Sequence, residues 1–88
     1  MTQVTMYTKL LCPFCSRAKK LLKQKGVQHI EEIDITWNGA RRSEMLERAN
    51  GAHTVPQIFI AGTHVGGCDE LYQLEREGRL DGLLQGAA

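Results

Sequence analysis

Eighty-eight residues, 42% of them hydrophobic and carrying a formal net charge of only +1, suit one domain with a single modest core and leave little room for a second. No stretch approaches the ~20 consecutive apolar residues that a membrane span requires, and the opening MTQVTMYTK has neither the basic start nor the apolar run of a secretory signal, so a cytoplasmic setting is expected. Three cysteines, an odd number at sparse spacing, do not make the disulfide framework of a small secreted protein; in a reducing compartment they are more often catalytic or metal-bound.

In chain order, QVTMYT alternates apolar with polar residues through Val4 and Met6 and predicts a short strand. A helix is expected to follow, with Pro13 at its first position and Phe14, Ala18, Leu21 and Leu22 on one apolar face, stopped by Gly26. Residues 29 to 35, HIEEIDI, read as a second strand through Ile30, Ile33 and Ile35, so the first 35 residues spell a βαβ unit with a parallel pair. After a turn at Trp37, Asn38 and Gly39, a second helix is expected over residues 40 to 49. Met45, Leu46 and Ala49 face inward in it, Arg41, Arg42, Glu44, Glu47 and Arg48 lie on the wet side, and Asn50-Gly51 ends it.

The pattern then changes: residues 57 to 60 and 63 to 65 are short β-rich runs joined by Ala61-Gly62, a two-residue hairpin turn. Gly66-Gly67 breaks it, and Cys68-Asp69 opens a third helix carrying Leu71, Tyr72 and Leu74 before Gly78, with Leu80, Leu83 and Leu84 available for a short terminal turn. The order β-α-β-α-β-β-α predicts an α/β domain over residues 1 to 88, one four-stranded mixed sheet flanked by helices.

The chemistry concentrates in YTKLLCPFCSRAKKLL, residues 7 to 22. Placed after a strand and at the mouth of a helix, Cys12 meets unpaired backbone N–H groups and the positive end of the helix dipole, which favour a thiolate, and Lys9 acts in the same direction. Three residues on, Cys15 returns to the same side of the first turn. One sulfur can then attack and the other resolve, with Cys12 the exposed nucleophile and Cys15 the shielded partner. Two alternatives carry less weight. A structural disulfide is disfavoured in a reducing compartment, and a zinc site lacks a second pair of ligands, since Cys68, His29, His53 and His64 stand singly.

Two distant segments have more than one reading. Thr54-Val55-Pro56 reads by composition as a rigid turn before a strand; alternatively, extended backbone at Val55 before a cis-competent proline offers its N–H and C=O to an added strand. In Gly66-Gly67-Cys68-Asp69, two glycines permit close approach of a ligand and the helix start offers N–H groups to a carboxylate, while Asp69 also suits an N-cap and Cys68 a small buried residue. Charge is unevenly spread. Residues 1 to 30 hold six of the Lys and Arg residues and no acid, so an anionic partner near the cysteines is favoured, although for most of these residues a solvated helix face is the simpler account. Nucleic-acid binding has no support, because the basic face lacks interleaved aromatics.

Taken together, YTKLLCPFC (7–15), TVPQIFI (54–60) and GGCDEL (66–71) resemble the glutaredoxins, in particular the small bacterial dithiol type, and the similarity runs through nearly the whole chain. The resemblance implies the thioredoxin fold with Pro56 cis, no tightly bound cofactor or metal, and glutathione as reducing co-substrate. It also implies that Cys12 takes the glutathionyl group and Cys15 resolves protein disulfides. Val55 pairs its backbone with the cysteine of glutathione, flanked by Thr54, Pro56 and Phe14. Gly67, Cys68 and Asp69 hold the γ-glutamyl end, and Lys9 meets the glycine carboxylate, assisted by Arg41, Arg42 or Ser43. Disulfide-containing or glutathionylated proteins, with ribonucleotide reductase a candidate, are the implied partners of a monomer that touches neither membrane nor nucleic acid.

One departure stands out: the family's usual Pro-Tyr between the cysteines is Pro-Phe here, so Phe14 keeps the ring and loses a hydroxyl. A redoxin recycled by thioredoxin reductase is a second reading, opposed by the implied glutathione contacts. An iron–sulfur carrier is a third, opposed by Pro13 and Cys15, one or other of which such family members generally lack.

Overall fold

A computed structural model describes residues 2–86, and its elements run β1 (Val4–Thr8), α1 (Pro13–Gln24), β2 (Ile30–Asp34), α2 (Gly39–Arg48), β3 (Gln57–Ile60), β4 (Thr63–Gly66), α3 (Cys68–Arg76) and α4 (Leu80–Leu84). The strands form one sheet in the order β2-β1-β3-β4, with β1 parallel to β2 and antiparallel to β3, and β3 antiparallel to β4. This is the expected mixed sheet of the thioredoxin fold. The hairpin turns at Ala61 and Gly62, both at positive φ, as the two-residue loop requires.

Strand β1 is central, so all five of its residues are buried and its alternation sorts side chains between two covered faces. Val4 and Met6 join Ile58 and Ile60 beneath Ala18, Leu21 and Leu22 of α1 and Leu71 of α3, with Leu80 and Leu84 of α4 completing that layer. On the other face Tyr7 and Phe59 pack with Met45 and Ala49 at α2. The threonines of β1 stay inside because each hydroxyl finds an acceptor on β2: Thr5 donates to Glu31 and Thr8 to Glu32, both at 3.0 Å. The short terminal turn is a helix of its own, tied by the bond from Thr2 N–H to the Leu84 carbonyl at 3.0 Å and by Lys25, whose ammonium pairs with Glu75 and Asp81 at 2.9 Å each.

Three expectations change. Phe14 is not part of the buried face of α1, which consists of Cys15, Ala18, Leu21 and Leu22; it is 53% exposed because in the first turn a cleft, not another element, faces it. Asp69 does not cap α3. Gly67 is the N-cap, and its N–H donates to the Glu70 carboxylate at 2.6 Å, half of a capping box, since glycine has no side chain to return the bond. Finally, Glu44 and Arg48 of α2 do not simply face water: both reach inward to the hydroxyl of Tyr7.

Candidate active site

The loop from Lys9 to Cys12 carries the chain from β1 into α1. Leu11 adopts φ 56°, and the Leu10 N–H donates to the Thr36 hydroxyl at 2.8 Å, which ties the loop to the segment after β2. Thr36 is itself held by Asp34, whose carboxylate accepts the Thr36 N–H at 2.7 Å; bonds from the Thr36 hydroxyl and amide keep that carboxyl below its usual range.

Cys12 is the N-cap of α1, in extended conformation, with Pro13 at the first helical position where a missing N–H costs nothing. Its sulfur does the work of a capping oxygen. The Cys15 N–H donates to Cys12 Sγ at 3.2 Å, so the sulfur accepts from an amide that the first helical turn leaves without an intrahelical partner. On its other side, Cys12 Sγ lies 3.9 Å from the Val55 carbonyl oxygen. Cys12 is half-buried, whereas Cys15 is only 3% exposed. Burial, with the bond to Cys12 next in size, pushes the Cys15 thiol up to about 12 against the opposing pull of the Lys9 backbone amide. All three cysteines are free thiols, and Cys68 is buried too, which raises its thiol despite Arg17 nearby.

Beside Cys12 opens a cleft of about 310 Å³. Its walls are Phe14 from α1, Thr54, Val55 and Pro56 from the loop before β3, and Gly67 to Glu70 from the start of α3. The Val55–Pro56 bond is cis. Gly67 permits the close meeting of the last two walls, since a Cβ there would stand 3.3 Å from the Pro56 carbonyl oxygen and 3.1 Å from Glu70 Oε1. The first amides of α3 have no intrahelical acceptor and lie at this wall. Two larger depressions, of about 730 and 620 Å³, flank β2 and the turn before it, but no cysteine lines either.

Seven of the ten residues singled out from the sequence thus share one cleft, with Cys12 at its edge. Cys15 is sealed below, and Lys9 is exposed on the loop without lining the cleft. Of the three candidates on α2, Arg41 is paired with Glu44 at 2.9 Å, while Arg42 and Ser43 are exposed. Glu70 carries no capping-box signal in the sequence, because that signal needs Ser or Thr three residues before Glu and glycine stands at position 67. Gln57, which the sequence shows only within TVPQIFI, and His64, which it offers only as a lone zinc ligand, are bonded to each other at 2.7 Å, a pairing that no sequence spacing signals. Among the described residues, no cluster of three or more His, Cys, Asp or Glu is placed to hold a metal ion, and no helix is long and apolar enough to cross a membrane.

The sequence model of the family described as Glutaredoxin matches residues 4–65. The chain is 53% identical over 85 residues to Glutaredoxin 3 of Escherichia coli K12, covering 97% of this chain and all of that one. Among solved structures, the solution structure of glutaredoxin from Brucella melitensis is similar with TM-score 0.84 and 51% identity, covering 100% of this chain and 94% of the other. A buckwheat glutaredoxin–glutathione complex matches with TM-score 0.84 and 31% identity, over 98% of this chain and 79% of that one.

Proposed function

Because the chain belongs to the glutaredoxin family and is a glutathione-dependent thiol–disulfide oxidoreductase, we propose that Cys12 is its nucleophile, Cys15 its resolving thiol and the adjoining cleft its glutathione seat. The observation that carries this reading is the contrast between the two sulfurs. Cys12 sits at the helix mouth, on the cleft's edge, with an N–H aimed at it, while Cys15 is buried and held protonated.

In the monothiol cycle the Cys12 thiolate attacks the glutathione sulfur of a protein–glutathione mixed disulfide. The S–S bond to the protein breaks, the protein thiolate leaves and takes up a proton, and Cys12 carries the glutathionyl group. A second glutathione thiolate then attacks that group, releasing glutathione disulfide and restoring Cys12. With a protein disulfide, Cys12 attacks one sulfur, the protein S–S bond breaks, and the first protein thiolate leaves and takes up a proton, so that Cys12 is joined to the protein as a mixed disulfide. Cys15 then loses its proton, attacks Cys12 Sγ and expels the second protein thiolate; two glutathiones reduce the resulting Cys12–Cys15 bond. Burial is the larger of the two influences that raise the Cys15 thiol; that of Cys12 weakens once its sulfur is bonded in a mixed disulfide, leaving burial opposed by the Lys9 amide and Lys19.

Within the cleft, an extended glutathione pairs its cysteine with the Val55 backbone between Thr54 and Pro56, and Phe14 covers the sulfur. Its γ-glutamyl carboxylate meets the amides of Cys68 and Asp69 beyond Gly67 and its ammonium meets the Asp69 carboxylate, while its glycine carboxylate extends past the cleft to Lys9, exposed on the loop before Cys12. The protein partners are those bearing an accessible disulfide or glutathionylated cysteine, ribonucleotide reductase among the candidates, and a reducing cytoplasm is the setting that keeps such a dithiol active. The test is direct: a Cys15→Ser chain exposed to glutathione disulfide should acquire one glutathionyl group, mapped to Cys12 by peptide mass spectrometry. Modification at Cys68, or none, would overturn the assignment.

A further inference from the structure

Gln57 opens β3 and is only 3% exposed, yet its whole carboxamide is bonded. Nε2 donates to the Thr54 carbonyl oxygen at 3.0 Å and reaches the Thr54 hydroxyl at 3.4 Å, and Oε1 lies 2.7 Å from His64 Nε2. A backbone carbonyl can only accept, so the NH₂ end must face Thr54 and the oxygen end must face His64. The imidazole therefore carries a proton on Nε2 and donates it. Strand register brings these groups together. Gln57 and Phe59, two apart, share a face of β3, and His64 stands opposite Phe59 in the hairpin, its ring tilted against the phenyl at 5.0 Å.

The consequence falls on the cleft. A trans peptide unit is planar, with its C=O and N–H pointing opposite ways. Gln57 draws the Thr54 carbonyl inward, so the N–H of the same unit, that of Val55, turns outward toward the cleft its residue lines. If the carboxamide turned over, Oε1 would face the Thr54 carbonyl, and two acceptors at 3.0 Å repel. The His64 donor opposes the same reversal at the far end, where a turned-over carboxamide would set N–H against N–H.

We infer that His64 is a positioning residue: by anchoring the far end of Gln57 it secures the Gln57–Thr54 bond, and with it holds the Val55 amide ready to pair with an extended thiol peptide. This rests on the reading of the cleft as the glutathione seat.

The test uses the full chain with Cys12→Ser, so that no exchange occurs, titrated calorimetrically with S-methylglutathione. His64→Phe keeps a ring against Phe59 and removes the donor; it should weaken binding about fivefold to tenfold, the worth of about one hydrogen bond. His64→Gln, which restores an N–H₂, should recover most of the loss. In chains that retain Cys12, neither variant should change the rate of its alkylation by iodoacetamide. Unaltered binding by His64→Phe overturns the inference. So does His64→Gln binding as poorly as His64→Phe, which would make the role one of shape, and so does an alkylation rate that falls in step with affinity, which would indicate general loosening. If S-methylglutathione fails to bind even with His64 intact, it is the reading of the cleft that falls, and this inference with it.

Discussion

The backbone N–H of Cys15 donates to Cys12 Sγ at 3.2 Å, so the residue that brings the second sulfur also supplies the first one with a hydrogen bond. That bond comes from the main chain and survives any change at position 15 other than to proline. A Cys15→Ser variant should therefore keep Cys12 reactive and retain most of its rate toward glutathionylated peptides, while losing reduction of protein disulfides, which need the resolving thiol. Cys12→Ser should lose both activities by orders of magnitude. Coupled assays with glutathione and its reductase, run on each substrate class, measure the two separately; deglutathionylation surviving in Cys12→Ser would disprove the nucleophile's identity.

The protonation of Cys15 sets the second expectation. With its thiol pushed up to about 12 by burial and by Cys12, Cys15 stays protonated and sealed across the neutral range. Iodoacetamide should thus modify a single cysteine, Cys12, between about pH 6 and about pH 9, with Cys15 and the buried Cys68 labelled only after unfolding. Peptide mapping after short exposures at several pH values reads this out. Labelling of Cys15 at neutral pH in the folded chain would contradict it.

Much of this was legible beforehand because it is local. Pro13 after Cys12 marks a helix start, the Ala61-Gly62 pair marks a hairpin, and both stand where the spacing puts them. The errors arise where a local signal meets a tertiary circumstance. Phe14 has the azimuth of Leu21 on α1 but lies at the end that nothing covers, so periodicity alone misplaced it. Asp69 has the chemistry of a cap, but α3 begins at Cys68, so Gly67 takes the cap position and Asp69 stands inside the first turn at the cleft wall. Tyr7, Glu44 and Arg48 are 37 and 41 positions apart in sequence, and no spacing rule joins a strand tyrosine to the polar face of a later helix.

Gly66 offers a test of the cleft's rear wall. It sits at φ 116°, and a Cβ there would come 2.9 Å from Cγ of Glu70, the residue that caps α3. Gly66→Ala should cost about 1–3 kcal/mol from backbone strain, with Glu70 displaced besides. Urea denaturation should give a lower midpoint with an unchanged slope. Stability equal to that of the unaltered chain would mean the turn relaxes freely.

Tyr7 couples the sheet to α2, and its hydroxyl gives the pH dependence of stability two limbs. It donates to Glu44 and accepts from Arg48 at 2.7 Å, while the Arg48 guanidinium lies 4.4 Å over the Phe59 ring. The Tyr7 bond, opposed by partial burial and aided by Arg41, holds the Glu44 carboxyl below its ordinary 4.5. A depressed carboxyl contributes stability that is present above that ordinary value and is lost as pH falls through the folded one. Tyr7 runs the other way: burial first, then Glu44, raise its phenol above 10.0 against Arg48, so its contribution is full below pH 10.0 and disappears as pH rises through the folded value. Tyr7→Phe should lower stability at neutral pH by about 1–2 kcal/mol, the loss of a buried hydroxyl's bonds. It should also flatten both limbs, because Glu44 loses its donor and no phenol remains. Thermal unfolding followed from about pH 3 to about pH 11 distinguishes the cases. An acid limb as steep in Tyr7→Phe as in the unaltered chain would assign it to other carboxylates, such as Asp34, whose bonds from Thr36 do not involve Tyr7.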